Sequence, residues 1–304
     1  MNRPEPLVAV YGRTYWDAEV AVDLASLASG KGKVDARVAV VQGGFALNAA
    51  RALAPLLPAG ALRVVTLTSW HDWPRLAAAL PEGALLDAIL SADSAPPPVS
   101  IIVNPARECR ILRDRHEHDH DGWRVDRVAQ GALSARLHIV GRLPVAFVSG
   151  VLARARAEGA RLAWVGGEAL PATLERECDI VCVNSREAER LLGAAGTPRE
   201  LAEALLRRAR VKDALRVVTG AGRAATAAAF RVGRRVKCVE ARPAAIAAER
   251  ITTLKGVGDA FAAHFLAAAC FDGRHAPRRR LEVAGALVAA QRAAARFISA
   301  RVAS

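Results

Sequence analysis

Thr252-Thr253-Leu254-Lys255-Gly256-Val257-Gly258-Asp259-Ala260-Phe261 decides how this chain reads. A polar, strand-like run enters two glycines one residue apart. The apolar, helix-favouring stretch Ala260 to Cys270 follows at once, so the glycines mark the start of a helix. The first turn of a helix leaves backbone N–H groups without intrahelical partners and carries partial positive charge. With no Cβ at Gly256 or Gly258, an anion can come close to those amides. Asp259 suits two roles there. It can cap the helix or, beside an anion-binding loop, take a proton from an attacking hydroxyl. The local sequence leaves both open.

Outward from that stretch, composition sets bounds. The chain has 304 residues, 52% of them apolar, enough for one large α/β domain or two modest ones with a substantial core. The 43 Lys and Arg against 30 Asp and Glu give a formal charge of +13, which suits nucleic acid, a membrane surface or an anionic small substrate. The arginines are scattered, however. The one dense basic run, Arg274 to Arg280, has no aromatic residues interleaved for base stacking, so specific nucleic-acid binding is not expected. The five cysteines, Cys109, Cys178, Cys182, Cys238 and Cys270, contain no Cys-x-x-Cys pair and fit packed thiols in a reducing cytoplasm. No uninterrupted apolar run reaches the roughly 18 residues that span a bilayer, and the N-terminus does not read as a signal sequence, so no membrane partner is expected.

Leu7 to Tyr11 is an apolar run closed by Gly12 and predicts a buried first strand. Asp17 is expected just past the carboxyl end of that strand, where open α/β sheets place ligand-binding groups. Gly30-Lys31-Gly32-Lys33 lacks the spacing of a Walker loop. Val38 to Val41 leads into Gln42-Gly43-Gly44-Phe45-Ala46-Leu47-Asn48, two glycines entering an Ala-rich helix. That pattern is a plain tight turn, or a place where a polyhydroxylated ligand meets the backbone and the Asn48 amide. Arg63 to Thr68 predicts a strand and His71 to Leu80 a helix. Val99 to Val103 and Cys109 to Leu112 predict two antiparallel strands of a small appended sheet. His116-Glu117-His118-Asp119-His120-Asp121 would put three imidazoles on one face of a strand, a possible metal site, but so polar a run before Gly122 reads first as a solvated loop.

From His138 the pattern repeats: strand (138–140), helix (145–158), strand (162–165), helix (170–177), the signature of parallel βαβ units. Asp179 to Val183 then delivers Asn184-Ser185-Arg186-Glu187. Asn followed three residues later by Glu is a capping box, or a pair at the mouth of the sheet near a metal-bound phosphate. Leu215 to Thr219 runs into Gly220-Ala221-Gly222-Arg223-Ala224-Ala225. Gly-x-Gly-x-x-Ala after a strand can open a dinucleotide-binding helix, the basis of an oxidoreductase reading. Against it, Ala227 to Val239 alternates like a hairpin. Leu281 to Val302 closes the chain as an amphipathic helix or a pair of helices.

These landmarks stand in the order in which the ribokinase-like (PfkB) family of carbohydrate and nucleoside kinases carries its motifs, and the resemblance covers roughly residues 7 to 300. Gly12 with Asp17 resembles that family's first strand and substrate-binding aspartate, and Gly43-Gly44 with Asn48 its di-glycine substrate motif. Asn184-x-x-Glu187 resembles the Asn-x-x-Glu motif associated with magnesium and phosphate, and Thr219-Gly220 the strand end that meets the nucleotide. Gly256-Val257-Gly258-Asp259-Ala260-Phe261 looks like the C-terminal signature.

The resemblance implies one three-layer αβα domain over residues 1–304, with a mostly parallel central sheet and a small β lid from segments near 13–41 and 99–113. It implies ATP-dependent transfer of the γ-phosphoryl group to a hydroxyl of a small sugar or nucleoside, in the cytoplasm, by a chain able to form a homodimer through the lid. Asp259 would be the general base, and the amides of Gly256, Val257 and Gly258 the anion hole. Asp17, Gly43, Gly44 and Asn48 would hold the acceptor. Asn184, Thr219, Gly220, Gly222 and Lys255 would meet the nucleotide, and Glu187 would act on Mg2+ through water. Tyr15, Trp16, Phe45 and Arg107 would shape the acceptor pocket.

The chain also departs from the family pattern. The signature usually begins Asp-Thr before the glycines, where this chain has Thr253-Leu254-Lys255. An acid is lost there and a cation gained. Ala221 stands where a glycine is usual, and Val165-Gly166-Gly167 lacks the aspartate often found after that strand. These departures carry an alternative reading, a family member with weak or no turnover that binds a ligand or regulates.

Overall fold

The computed structural model describes residues 6–22, 25, 35–90, 99–103, 110–113, 122–166, 171–220, 224–247, 251, 254–272, 274–278 and 280–300. Along the chain run β1 (Val8–Tyr11), β2 (Tyr15–Ala21), β3 (Arg37–Gly43), α1 (Phe45–Leu53), β4 (Leu62–Thr68), α2 (Trp73–Ala79), β5 (Ala84–Leu90), β6 (Val99–Val103) and β7 (Arg110–Arg113). There follow α3 (Gln130–Leu133), β8 (Leu137–Val140), α4 (Val145–Ala157), β9 (Arg161–Val165), α5 (Ala172–Glu177), β10 (Ile180–Asn184), α6 (Ser185–Leu192) and α7 (Pro198–Arg208). The last elements are β11 (Leu215–Thr219), β12 (Thr226–Val232), β13 (Arg235–Ala241), α8 (Val257–Cys270) and α9 (Ala284–Ala300).

All four residues of β1 are buried, and alternation along the strand explains why. Val8 and Val10 enter one hydrophobic cluster together with residues of α1, α8 and α9, whereas Ala9 and Tyr11 enter a second with residues of α4 and α7. A strand buried on both faces needs helices on both, which makes the molecule a three-layer αβα structure. The large sheet has nine strands in the order β13-β12-β11-β10-β9-β8-β1-β4-β5. From β11 to β5 every pairing is parallel, and β12 and β13 add an antiparallel hairpin at one edge. That hairpin is the one the alternation of Ala227 to Val239 predicts, and it removes the crossover helix a dinucleotide fingerprint would need.

A second, four-stranded sheet has the order β3-β2-β6-β7. Its register sorts side chains cleanly. Asp17 stands opposite Ser100, and Glu19 opposite Ile102, on one face; Trp16 opposite Val99, and Ala18 opposite Ile101, lie on the other. Asp17, Ser100 and Ile102 are buried, whereas Val99 and Ile101 are exposed. The first face therefore turns toward the molecule and the second toward solvent.

Some elements differ from expectation. Asp17 lies inside β2 rather than in a loop past β1. β5 was not anticipated from sequence. Residues 281–302 hold one helix, α9, among the described residues, and neither Ile251 nor Leu254 to Gly256 is in a strand. The histidine run 116–121, Arg107 and Cys109 lie outside the described residues. Among the described residues no helix is long and apolar enough to cross a membrane.

Two buried polar clusters stiffen the large sheet. Arg216, second residue of β11, is fully buried and pairs with Glu175 at 3.1 Å. It also donates to the carbonyl oxygens of Glu175, Cys178 and Leu215. Burial disfavours both charges, pulling the Arg216 pKa down and pushing that of Glu175 up. In the neighbouring part of the sheet the Tyr11 hydroxyl donates to the Ala132 carbonyl and lies 2.9 Å from His138 Nδ1. Burial lowers the His138 pKa to about 4, so the imidazole is neutral at pH 7.

Candidate active site

The chain leaves β1 toward β4 and β5 on one side and returns to β8 on the other, so the order reverses between β1 and β8. Open α/β sheets bind ligands in the crevice outside such a switch point. Gly12 and Gly141 are the residues immediately after these two strands. Phe45, the first residue of α1, lays its ring across both: a Cβ on Gly12 would stand 2.6 Å from Phe45 Cδ1, and one on Gly141 2.8 Å from Cγ. Arg13 and Arg142 come next in the chain and line a cavity of about 370 Å³ above the ring.

The small sheet supplies the opposite wall. Its inner face brings Tyr15, Asp17, Ser100 and Ile111 to the cavity. Asp17, 1% exposed, accepts a hydrogen bond from Ser100 Oγ on Oδ1 and pairs through Oδ2 with the ammonium of Lys255. Gly43, opposite Tyr15 in β3, is glycine because this pair leaves no room: a Cβ there would collide with Asp17 Oδ2 and stand 3.2 Å from Lys255 Nζ. Lys255 therefore faces the acceptor aspartate named from sequence, although it was itself assigned to the nucleotide.

A further side of the cavity is the entry to α8. Gly256 has φ 74°, a left-handed conformation that favours glycine, and a Cβ there would stand 2.9 Å from Asn48 Nδ2. The first backbone bond of the helix runs from Ala260 N to Gly256 O, so the amides of Val257, Gly258 and Asp259 precede the intrahelical ladder. As the capping residue, Gly256 supplies no side chain to them. Asp259, in the first turn, accepts a 2.9 Å hydrogen bond on Oδ2 from Asn48 Nδ2 of α1. An amide NH2 can only donate, so Asn48 orients the carboxylate. Asn48 reaches the cavity, as the sequence suggests, but its amide nitrogen serves Asp259.

Glu187 reaches the cavity from the far side, beside Val165 and Gly166 at the end of β9. The capping box read from sequence is complete: Asn184 Oδ1 accepts from Glu187 N at 3.0 Å, and Glu187 Oε2 accepts from Asn184 N at 2.9 Å. The box fixes a carboxylate at the cavity edge, so capping and a place at the sheet mouth coexist. Asn184, Thr219 and Gly220 do not line the cavity. Thr219 and Gly220 stand beyond it, where Ser185 Oγ donates to Thr219 O at 3.1 Å and Gly220 fits tightly against Ala224. Gly222 lies outside the described residues.

The cavity thus brings together Asp17, Gly44, Asn48, Glu187, Lys255, Gly256 and Asp259 from the residues singled out by sequence, with Tyr15 and Phe45. Trp16 belongs to the other face of the small sheet. Sequence reading missed Arg13, Ser100, Ile111 and Arg142. Period-two alternation in β6 could have found Ser100, whose neighbours point outward.

No family model matches the chain, and no curated protein sequence matches it. Solved structures match over nearly its whole length. An adenosine kinase from Anopheles gambiae, in complex with a diadenosine tetraphosphate, superposes with a TM-score of 0.72 at 14% identity, covering 99% of this chain and 97% of that one. The Arabidopsis thaliana ribokinase complexed with ribose and ATP gives 0.68 at 19% identity, covering 97% and 93%. A microbiome-derived acarbose kinase gives 0.73 at 15% identity, again covering 97% and 93%. The chain has the ribokinase-like fold.

Proposed function

We propose that this chain transfers the γ-phosphoryl group of ATP to a hydroxyl of a small sugar or nucleoside. The observation that carries the reading is Asp259, held by Asn48 in the first turn of α8, directly after amides that open the helix at a left-handed glycine and in the same cavity as Asp17. Solved structures of the same fold that are ribokinase and adenosine kinase support it. In this reading Asp259 takes the proton of the acceptor hydroxyl as its oxygen attacks the γ-phosphorus. The bond from that phosphorus to the β–γ bridging oxygen breaks, and ADP leaves with the electron pair. The amides of Gly256, Val257 and Gly258 meet charge on the phosphoryl oxygens as it moves.

Mg2+ suits the donor set. Among the described residues no three His, Cys, Asp or Glu side chains cluster as an all-protein cage. Mg2+ in phosphoryl transfer keeps several waters and takes one or two carboxylates plus substrate phosphates, and Glu187, fixed by its capping box at the cavity edge, is the carboxylate available for a water-mediated contact. When bound, the ion offsets phosphate charge. Thr219 and Gly220, beyond this edge, would meet the nucleotide. The described cysteines are unpaired thiols, which agrees with a cytoplasmic setting where ATP is available.

The test is ADP release from ATP and Mg2+ with a panel of sugars and nucleosides. A protein that neither binds ATP nor releases ADP with any acceptor sinks the reading. Asp259→Asn is expected to lower kcat ~10²–10⁴-fold while nucleotide binding is retained. The Lys255–Asp17 ion pair favours a second reading, a ligand-binding protein without turnover, in which Asp259→Asn has no rate to change.

The small sheet would act as a lid, and its outer face would join two copies. Trp16, Ala18 and Val20 of β2 lie beside Val40 and Val38 of β3 and Val99 and Ile101 of β6. Val40 is 63% exposed, and Leu112, opposite Ile101, 60%. So large an apolar face on a small sheet suits a self-complementary interface. Light scattering should report a dimer that Val40→Glu dissociates; a monomer at every concentration refutes the pairing.

A further inference from the structure

The acceptor side of the cavity holds a feature that a site for neutral polyols does not need. Asp17 reaches the cavity with one oxygen taken by Ser100 Oγ and the other by the ammonium of Lys255. The pair is built in. Both side chains are nearly buried, at 1% and 12% exposure. Asp17 and Ser100 are held opposite each other by the register of two strands, and the approach at Gly43 admits no side chain. Arg13 and Arg142, which follow the two strands of the switch point, line the same cavity, as do Gly256 and Asp259 at the entry to α8.

We propose that Lys255 makes this site selective for an acceptor that carries an anionic group, a carboxylate or a phosphate, with the ammonium bridging Asp17 and that group. The proposal rests on the reading of this cavity as the acceptor site. Two ligand chemistries meet the pair differently. A neutral hydroxyl that binds Asp17 competes with the ammonium and, by filling the cavity, keeps out the water that would otherwise solvate the charges so separated, leaving them without compensation. An anionic oxygen adds to the pair instead, because an ammonium carries three donors and can serve two acceptors at once. A hydrogen bond to a charged group is also stronger than a neutral one. The anionic acceptor is therefore recruited without dismantling the wall of the cavity, and the neutral one is not.

Calorimetric titration with ligand pairs that differ in one charged group tests this. Glucose against glucuronate reports a carboxylate, and ribose against ribose 5-phosphate a phosphate, each with a non-hydrolysable ATP analogue present. The charged member of at least one pair should bind about tenfold more tightly or better, the factor of one charge-assisted hydrogen bond. In Lys255→Met, which removes the ammonium and keeps most of the apolar stem, that preference should vanish. In Asp17→Asn it should persist or widen, since the ligand anion no longer shares the ammonium with Asp17. Equal binding of charged and neutral members, tighter binding of the neutral ones, or no binding by any charged member overturns the proposal. So does a Lys255→Met protein that loses affinity for the ATP analogue and keeps its acceptor preference, because Lys255 then serves the nucleotide. ADP release is measured in parallel: an anion-selective site without turnover refutes the kinase reading and leaves the selectivity standing.

Discussion

Among the described residues, two of the buried or nearly buried acid–base pairs lie at opposite ends of the same layer of strands. Arg216 and Glu175 meet near the amino end of β11 at 0% exposure each, and Lys255 and Asp17 meet beyond the carboxyl ends, under the small sheet. The first is enclosed: the guanidinium also serves three backbone carbonyls, and nothing could replace its partner. The second forms the wall of a cavity, so water or a ligand can take the place of either member. A buried pair therefore acts as a bolt or as a binding determinant according to what can enter beside it. Charge and depth alone do not separate the two.

The largest effect is expected from breaking the enclosed pair. Arg216→Met strands the Glu175 carboxylate and should lower the unfolding free energy by about 3–5 kcal/mol, read by urea denaturation, with nucleotide binding by the folded fraction unchanged. Replacing Glu175 by Leu as well should recover most of that loss, because the desolvation cost of both charges goes with them. If the double variant is no more stable than the single one, the pair does more than close the sheet.

An intermediate effect comes from His138, which lies on the closed side of the comparison. Its folded pKa of about 4 is below the ordinary value of 6.5, so between those pH values the unfolded chain binds more protons. Stability is full above about pH 6.5, falls as pH drops toward 4, and levels off below. A shift of this size corresponds to roughly 3 kcal/mol between pH 7 and pH 4. Unfolding free energy measured from pH 7 to pH 4 should show that slope, and His138→Asn should flatten it. The smallest effect belongs to the open pair. Lys255→Met should cost about 1 kcal/mol or less, since the cavity lets water solvate Asp17. A loss as large as that of Arg216→Met would show the two pairs to be equivalent.

The same contrast explains what the sequence discloses. Burial is written locally: the apolar runs of β1, β8, β10 and β11, the hairpin of β12 and β13, and the Asn184–Glu187 box are each complete within a few consecutive residues. The site is assembled from afar. Asp17 and Ser100 are 83 positions apart, and Asn48 and Asp259 are 211 apart. A period-two pattern shows which residues share a face, but not which strand lies next door. Asp17 was legible as a ligand-facing acid and Asp259 as a base or cap. That Lys255 turns to Asp17, and Asn48 to Asp259, depends on the sheet order and on the approach of α8 to α1.

The ring of Phe45 has a consequence of another kind. It rests on Gly12 and Gly141, which end two strands 129 positions apart, and its space is defined by what those residues lack. The three positions therefore form one hereditary unit. A side chain at 12 or 141 is admissible only in a lineage that has first shortened residue 45, and each such step would deepen the cavity floor by about the volume the ring gives up. Change in the size of the ligand this fold accepts would then proceed by paired substitutions at the floor, with the walls left as they are.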